Sequence, residues 1–263
     1  MKEIFVKEET LPMTYHEALS KLKEEGEFAD CADWGTTQIE VSMTMVVENP
    51  LKEPMISKLF IGGPRELEQY RQELLDGILD FEIEKGNWVY TYHDRMVNYP
   101  LERDVEYGIY SFDQIQFVIG ELKRNPSSRR AVVLVRDPSI DAFSDDPACL
   151  QHIQYFIRDD KLHCKVLFRS NDACKATFMN AFGLIMLQQK IANVLGLEVG
   201  TYTHRANSFH CYEKDIPMLD GYYKTMHEKS FEDCTYDYVG EWDELMEEYK
   251  SDIADEVTEL FNR

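Results

Sequence analysis

The sequence predicts an α+β fold, one large mixed β-sheet packed by helices. Three observations predict it. Residues 37–47 alternate, with Ile39, Val41, Met43 and Met45 on one face and Glu40, Ser42 and Thr44 on the other, the pattern of a long half-exposed strand. The segments LQHIQYFI and LHCKVLF flank the polar turn Arg158-Asp159-Asp160-Lys161 and read as an antiparallel hairpin. Residues 178–187 are apolar nearly all round, interrupted by Asn180 and Gly183. A helix without a polar face is a buried one, here a helix over about 174–195 lying against one sheet face.

The other elements follow in chain order. The apolar run Ile4-Phe5-Val6 reads as a short strand. Residues 14–25 form an amphipathic helix with Ala18, Leu19 and Leu22 inward and Gly26 at its end. Residues 64–75 are a helix with Pro64 in its first turn and Gly77 beyond its last. Residues 88–96, WVYTYHDRM, alternate as a strand presenting Trp88, Tyr90 and Tyr92 on one face. Ser111 is the expected N-cap of a helix that Pro126-Ser127-Ser128 ends. Arg129 and Arg130 precede the strand AVVLV and, read as adjacent strand residues, point to opposite sides. After the buried helix, residues 196–200 turn into the strand TYTHRANSFHCY, with His210 and Tyr212 on one face. Residues 213–228 form a helix and 231–239 a turn-rich linker. Residues 242–261 form an acidic helix with Leu245, Met246, Tyr249 and Ile253 towards the core. The expectation is one domain over residues 1–263.

Composition narrows the function. The net charge of −21 disfavours a nucleic-acid backbone or an anionic membrane as the main partner. An anionic nucleotide would need a local arginine cluster, which Arg129, Arg130 and Arg169 supply. The six cysteines include no CxxC pair and no metal-ligand spacing, so they read as reduced cytoplasmic thiols with no metal. The start of the chain has no apolar signal core, and no run of 18 apolar residues is present.

Four features carry chemistry. Cys149 follows Asp145-Asp146-Pro147-Ala148 at a loop-to-strand junction, where a thiol can face a cleft. A free cysteine is most often a small buried hydrophobe, so its partners decide. The hairpin brings Arg169 to the end of the sheet where Cys149 lies, and a cation there favours the thiolate. Asn180, a carboxamide inside an apolar helix, needs partners in the backbone or at the edge of a base. His210 and Tyr212 are either core residues or ligands of a sugar.

These elements resemble thymidylate synthase. The match rests on Arg129-Arg130 in SSRRAVVLV, Pro147-Ala148-Cys149, Arg169-Ser170-x-Asp172, Asn180 and His210-x-Tyr212, in that order and with that spacing. It is clear from about residue 88 to 215 and most divergent over 1–87 and 216–263. It implies reductive methylation of dUMP to dTMP with 5,10-methylenetetrahydrofolate as co-substrate, through a Cys149 adduct at C6 of the base. Arg169 and Ser170 would then hold the phosphate, Arg169 would also stabilise the thiolate, and Asn180 would bind the ring edge. His210 and Tyr212 would bind the 3′-hydroxyl. Asp172 would anchor the pterin and its own loop, with Trp88 and Tyr92 lining the folate and nucleotide sites. Glu73, with Glu66 as the alternative, would organise water around the base. Arg129 and Arg130 would reach into the partner's site across a homodimer formed by the opposite sheet face.

Several positions depart from the family pattern. CADWGTTQ has no arginine where the family has a phosphate-binding one. Leu150 replaces the usual histidine after the cysteine, and Lys175 adds a cation on the folate side. The tail VTELFNR is polar where the family closes the site with small apolar residues. A dUMP or dCMP 5-hydroxymethylase, using water instead of hydride in the last step, is the alternative. Asn180 favours uracil over cytosine, since cytosine-using relatives tend to carry an aspartate there. A non-catalytic nucleotide- or RNA-binding protein is a more remote alternative.

Overall fold

The computed structural model describes residues 1–102 and 109–263. Its strands are β1 (Glu3–Glu8), β2 (Glu27–Cys31), β3 (Thr36–Val47), β4 (Ile56–Ser57), β5 (Tyr99–Glu102), β6 (Ile109–Phe112), β7 (Val132–Leu134), β8 (Leu150–Arg158), β9 (Lys161–Asp172), β10 (Glu198–Tyr212) and β11 (Thr235–Tyr236). Its α-helices are α1 (Leu11–Glu25), α2 (Pro64–Asp76), α3 (Phe81–Glu84), α4 (Tyr92–Val97), α5 (Gln114–Arg124), α6 (Pro138–Asp141), α7 (Thr177–Leu195), α8 (Ile216–Glu228) and α9 (Asp243–Asn262).

Seven strands form one sheet in the order β1-β3-β10-β9-β8-β7, with β2 pairing the other half of the β3 edge that β1 occupies. The pairs β1–β3 and β9–β10 are parallel and the others antiparallel, so the sheet is mixed, as expected. Register follows from burial on one face. Ile39, Val41, Met43 and Met45 of β3 are all buried. The hairpin β8–β9 closes through Asp159 and Asp160, at φ of 51° and 56°, a pair of left-handed residues that suits the twist of the flanking strands. Helix α7 lies over β9 and β10, and Phe178, Phe182, Leu184 and Ile185 are almost wholly enclosed. Inside that apolar layer, Gln188 Nε2 donates to the Leu162 carbonyl at 2.7 Å.

Helix α2 packs on α7 at one point of close approach. A Cβ on Gly183 would stand 2.9 Å from Leu74 Cδ2 and 3.1 Å from Tyr70 Cε1, so only glycine admits the Tyr70 ring. Gly77 ends α2 at φ 67°, where a side chain would collide with His93.

Four readings of the sequence are corrected. Residues 88–91 are irregular, and α4 starts at Tyr92 with Thr91 as N-cap, its hydroxyl accepting from the Asp94 N–H at 2.9 Å. The local cap overrides the aromatic alternation. Ser111 belongs to β6, and Asp113 caps α5 by accepting from the Gln116 N–H at 2.9 Å. Arg129 and Arg130 precede β7 rather than lying in it. On α9, Met246 and Ile253 are buried, Tyr249 is half-buried and Leu245 is exposed, because the helix meets α2 along a narrow stripe.

The polar tail is docked. Lys85 Nζ donates to the carbonyls of Leu260 and Phe261 at 2.7 Å each, capping the end of α9, and Phe261 packs edge-on against Phe81 with ring centres 5.3 Å apart. No helix among the described residues is long and apolar enough to cross a membrane.

Candidate active site

The site gathers at the C-terminal ends of the parallel strands β9 and β10, where β8 begins. Register places Ser170 opposite Ser208 and Asp172 opposite His210. The hairpin sets the Arg169 N–H 2.8 Å from the Cys149 carbonyl, so the two residues the sequence puts at one end of the sheet are backbone neighbours. The Arg169 side chain then turns back on the loop. Its Nη2 donates to the Pro147 carbonyl at 2.6 Å and its Nε to the Ala148 carbonyl at 3.2 Å. Nη1 makes no hydrogen bond to a described residue.

The Cys149 thiol is half-buried. Burial pushes its pKa up, Arg169 pulls it down, and Asp146 pushes it up again. The resting group is therefore a thiol, and Arg169 is the neighbour that lowers the cost of the thiolate.

Beside Cys149 opens a cavity of about 770 Å³, with Tyr70 and Glu73 of α2, Trp88, Tyr90, Tyr92 and Asp146 among its walls. Trp88 and Tyr92 thus meet at one cavity, though not through strand alternation. Tyr92 Oη accepts from the Leu150 N–H at 3.4 Å, tying this wall to the residue after the cysteine. Burial raises the pKa values of Tyr92 and Tyr90, which remain neutral phenols.

Glu73 is half-buried at this wall. Burial raises its carboxyl pKa, opposed by the Gln69 amide, which donates to Oε1 at 2.9 Å. Glu66 is exposed, and its side chain accepts the Gly63 N–H at 2.7 Å as part of the α2 cap. Of the two glutamates, Glu73 lines the cavity and Glu66 does not.

Asn180 is buried on α7, and its Oδ1 accepts a short hydrogen bond from the Tyr70 hydroxyl. Its Nδ2 makes no hydrogen bond to a described residue. His210 is buried; Nδ1 lies 3.2 Å from Ser170 Oγ and 3.3 Å from the Ser208 carbonyl, while Nε2 is enclosed with no partner among the described residues. Burial lowers the His210 pKa, so the ring is neutral and Nε2 can serve a ligand hydroxyl. Tyr212 stands edge-on to that ring at 4.8 Å, its own pKa pushed up to about 12 by burial.

Asp172 Oδ1 accepts the N–H groups of Cys174 at 3.0 Å and Lys175 at 2.9 Å, fixing the turn into α7. Lys175 is not a loose cation on the folate side, because its Nζ pairs with Asp215 at 2.6 Å.

Arg129 and Arg130 stand apart. They are exposed, and the Arg129 carbonyl is held by Gln154 Nε2 at 3.0 Å. Gln154 lies five residues along β8 from Cys149, roughly 16 Å away at the rise of a strand. Within one protomer the pair does not join the Cys149 cluster.

Two contributors were not read from the sequence. Tyr70 is three residues before Glu73, the spacing that puts both on one helix face, and that spacing was the available signal. Arg95, almost wholly buried, pairs with Asp141 at 3.1 Å and lies 5.4 Å from the centre of the Tyr90 ring. Nothing in the sequence marks it as other than a surface charge.

A cysteine clamped by an arginine at the end of a sheet thus stands near an aromatic cavity, a buried carboxamide and a histidine nitrogen with no partner among the described residues. Comparison with known proteins gives the family. The thymidylate synthase family model matches residues 65–236, a span that includes α2 and Glu73. A protein named "Putative thymidylate synthase" from Methanocaldococcus jannaschii is 33% identical over 225 residues, covering 83% of this chain and 95% of its own length. The thymidylate synthase of Bacillus subtilis subsp. natto is 37% identical over 108 residues, 41% of this chain and 38% of its own. The solved structure of the thermostable thymidylate synthase A from Bacillus subtilis shares the fold, with a TM-score of 0.62, 19% identity and coverage of 82% of this chain and 84% of that one. The chain belongs to the thymidylate synthase family, whose members are methyltransferases that act on dUMP with methylenetetrahydrofolate.

Proposed function

We propose that this protein is a thymidylate synthase, converting dUMP and 5,10-methylenetetrahydrofolate to dTMP and dihydrofolate. The observation that carries the reading is the clamp of Arg169 on the Cys149 loop, with Asn180 hydrogen-bonded to Tyr70, which walls the aromatic cavity.

In this reading the Cys149 thiol loses its proton to cavity water and its sulfur adds to C6 of the uracil ring. The negative charge moves to C5 and O4. Arg169 favours the thiolate and, with Nη1 and Ser170, receives the phosphate. Asn180 binds the ring edge and His210 and Tyr212 the 3′-hydroxyl. Glu73, its carboxyl pKa raised by burial, supplies and removes protons near O4 through water. C5 then bonds to the methylene carbon of the co-substrate as that carbon's bond to N10 breaks; C5 next loses its proton as the bond to N5 breaks, which releases tetrahydrofolate and leaves an exocyclic methylene on C5. Hydride from the tetrahydropterin reduces the transferred carbon to methyl as the Cys149 sulfur leaves C6. Trp88 and Tyr92 stack the pterin, and Asp172 holds it and the loop before α7.

Residues 1–263 act as one domain in this reading, and the protein works as a homodimer in the cytoplasm. The position of Arg129 and Arg130 supports it, since Arg129 sits beside Gln154 of β8 rather than beside Cys149 and the pair is exposed, with no ion pair to a described residue. A 5-hydroxymethylase shares every step until water replaces hydride. Asn180 favours a uracil substrate in either case.

The test is the covalent intermediate. Incubating the protein with 5-fluoro-dUMP and methylenetetrahydrofolate should add the mass of both to the peptide containing Cys149. A Cys149→Ser variant should bind the nucleotide and form no adduct. An adduct on another residue, or none on the wild type, would sink the reading.

A further inference from the structure

Tyr70 is the hydrogen-bond partner of the buried Asn180 amide. Its hydroxyl donates to Asn180 Oδ1, and it makes no other hydrogen bond to a described residue. Burial holds the phenol far above its ordinary pKa, so it carries its proton throughout the working range. A buried phenol proton needs an acceptor. If the carboxamide flipped, its NH₂ would face the phenol oxygen and the phenol proton would be stranded. The bond therefore locks the carboxamide in one orientation. Oδ1 is anchored towards α2 with one lone pair to spare, and Nδ2 is left free of protein partners.

The approach of the two helices is built for this contact. Gly183 lies three residues after Asn180 on α7, and a Cβ there would meet the Tyr70 ring at 3.1 Å. Tyr70 also walls the cavity that Glu73, Tyr90 and Tyr92 line. The hydroxyl thus bridges the cavity wall and the buried amide.

We infer that Tyr70 is a positioning residue that makes Asn180 read uracil. A free Nδ2 donor and a half-used Oδ1 acceptor match the O4 acceptor and N3–H donor of uracil. Cytosine presents the opposite pair, a 4-amino donor and an N3 acceptor, and only a flipped carboxamide would suit it. The inference rests on the proposed function in taking a pyrimidine nucleotide as the ligand of this cavity. It adds that the selectivity is enforced from α2, through a hydroxyl that need not touch the base.

The test is the ratio of dUMP to dCMP affinity, measured by calorimetry on the full chain. The wild type should favour dUMP. Tyr70→Phe keeps the ring and releases the amide, and should narrow the ratio by about tenfold, the effect of one buried unmatched group. In an Asn180→Ala background the same change should leave the ratio unaltered, which a general packing role for Tyr70 would not produce. A Gly183→Ala variant, which displaces the ring and keeps the hydroxyl, carries the same expectation if Tyr70→Phe does not fold. An unchanged ratio in a folded variant, or a shift that persists without Asn180, would overturn the inference while leaving the proposed function standing. Wild-type protein that binds neither nucleotide would overturn both.

Discussion

Arg169 holds Cys149 from two directions: its backbone N–H donates to the Cys149 carbonyl at 2.8 Å, and its guanidinium donates to the carbonyls of Pro147 and Ala148 just before it. One residue thus fixes the loop that carries the thiol and supplies the charge beside it.

Arg169→Met should therefore do two things. Loss of the two side-chain bonds should destabilise the fold by about 1–3 kcal/mol, read as a shift in denaturant midpoint. Loss of the charge should raise the Cys149 pKa further, so that the pH midpoint of its alkylation by iodoacetamide moves up. An unmoved midpoint would show that the guanidinium does not act on the thiol.

Glu73→Gln should retain nucleotide binding and lower kcat by about 100-fold, the usual scale for a proton-transfer group. Burial raises the Glu73 pKa, so its protonated fraction is lost as pH rises through that raised value. A step using the acid form should weaken over that rise in the wild type and show no such limb in the variant. Equal kcat in both would remove Glu73 from the chemistry.

Shared sites predict complementation. The Arg129→Ala, Arg130→Ala double variant and Cys149→Ser should each be inactive. Unfolded together and refolded one to one, they should recover about a quarter of wild-type activity, since half the dimers are mixed and each then holds one intact site. No recovery from folded mixtures would speak against sites completed across protomers.

Two buried histidines should make the protein acid-sensitive above the carboxylate range. Burial lowers His16 to about 4 and His204 to about 3. His16 bonds Ser57 Oγ at 2.7 Å, and His204 lies between Tyr202 and Asn171 at 2.9 Å from each. Both are neutral when folded, whereas the unfolded chain takes up their protons below about pH 6.5. Their stabilisation is thus complete above that value and is lost as pH falls. Between about pH 6 and 4.5 each should contribute a slope approaching 1.4 kcal/mol per pH unit. His16→Gln should remove about half of that slope in denaturant titrations, and an unchanged slope would show that His16 does not titrate as a buried group.

Much of the site was legible because short-range rules fix it. The Arg158–Lys161 turn brings Arg169 to the end of the sheet where Cys149 lies, and a one-residue register shift between Leu150 and His152 then makes the two backbone neighbours. The apolar surround of Asn180 predicts its burial without predicting its partner. Tyr70 is distant in sequence, and only the α2–α7 packing through Gly183 brings it to the amide. The aromatic run at 88–92 misled because its alternation lines a cavity from an irregular segment and the first turn of α4, where the Thr91 cap outweighs strand propensity. The tail could be read as a helix, but not as one capped by Lys85 and packed on Phe81, since both contacts join residues far apart in sequence.

The central claim is tested most directly by product mass. The protein is incubated with dUMP and methylenetetrahydrofolate, the nucleotides are resolved by mass spectrometry, and dihydrofolate is followed by absorbance. The account predicts dTMP with one dihydrofolate for each nucleotide converted. A 5-hydroxymethyl nucleotide formed without dihydrofolate would contradict it and assign the last step to water.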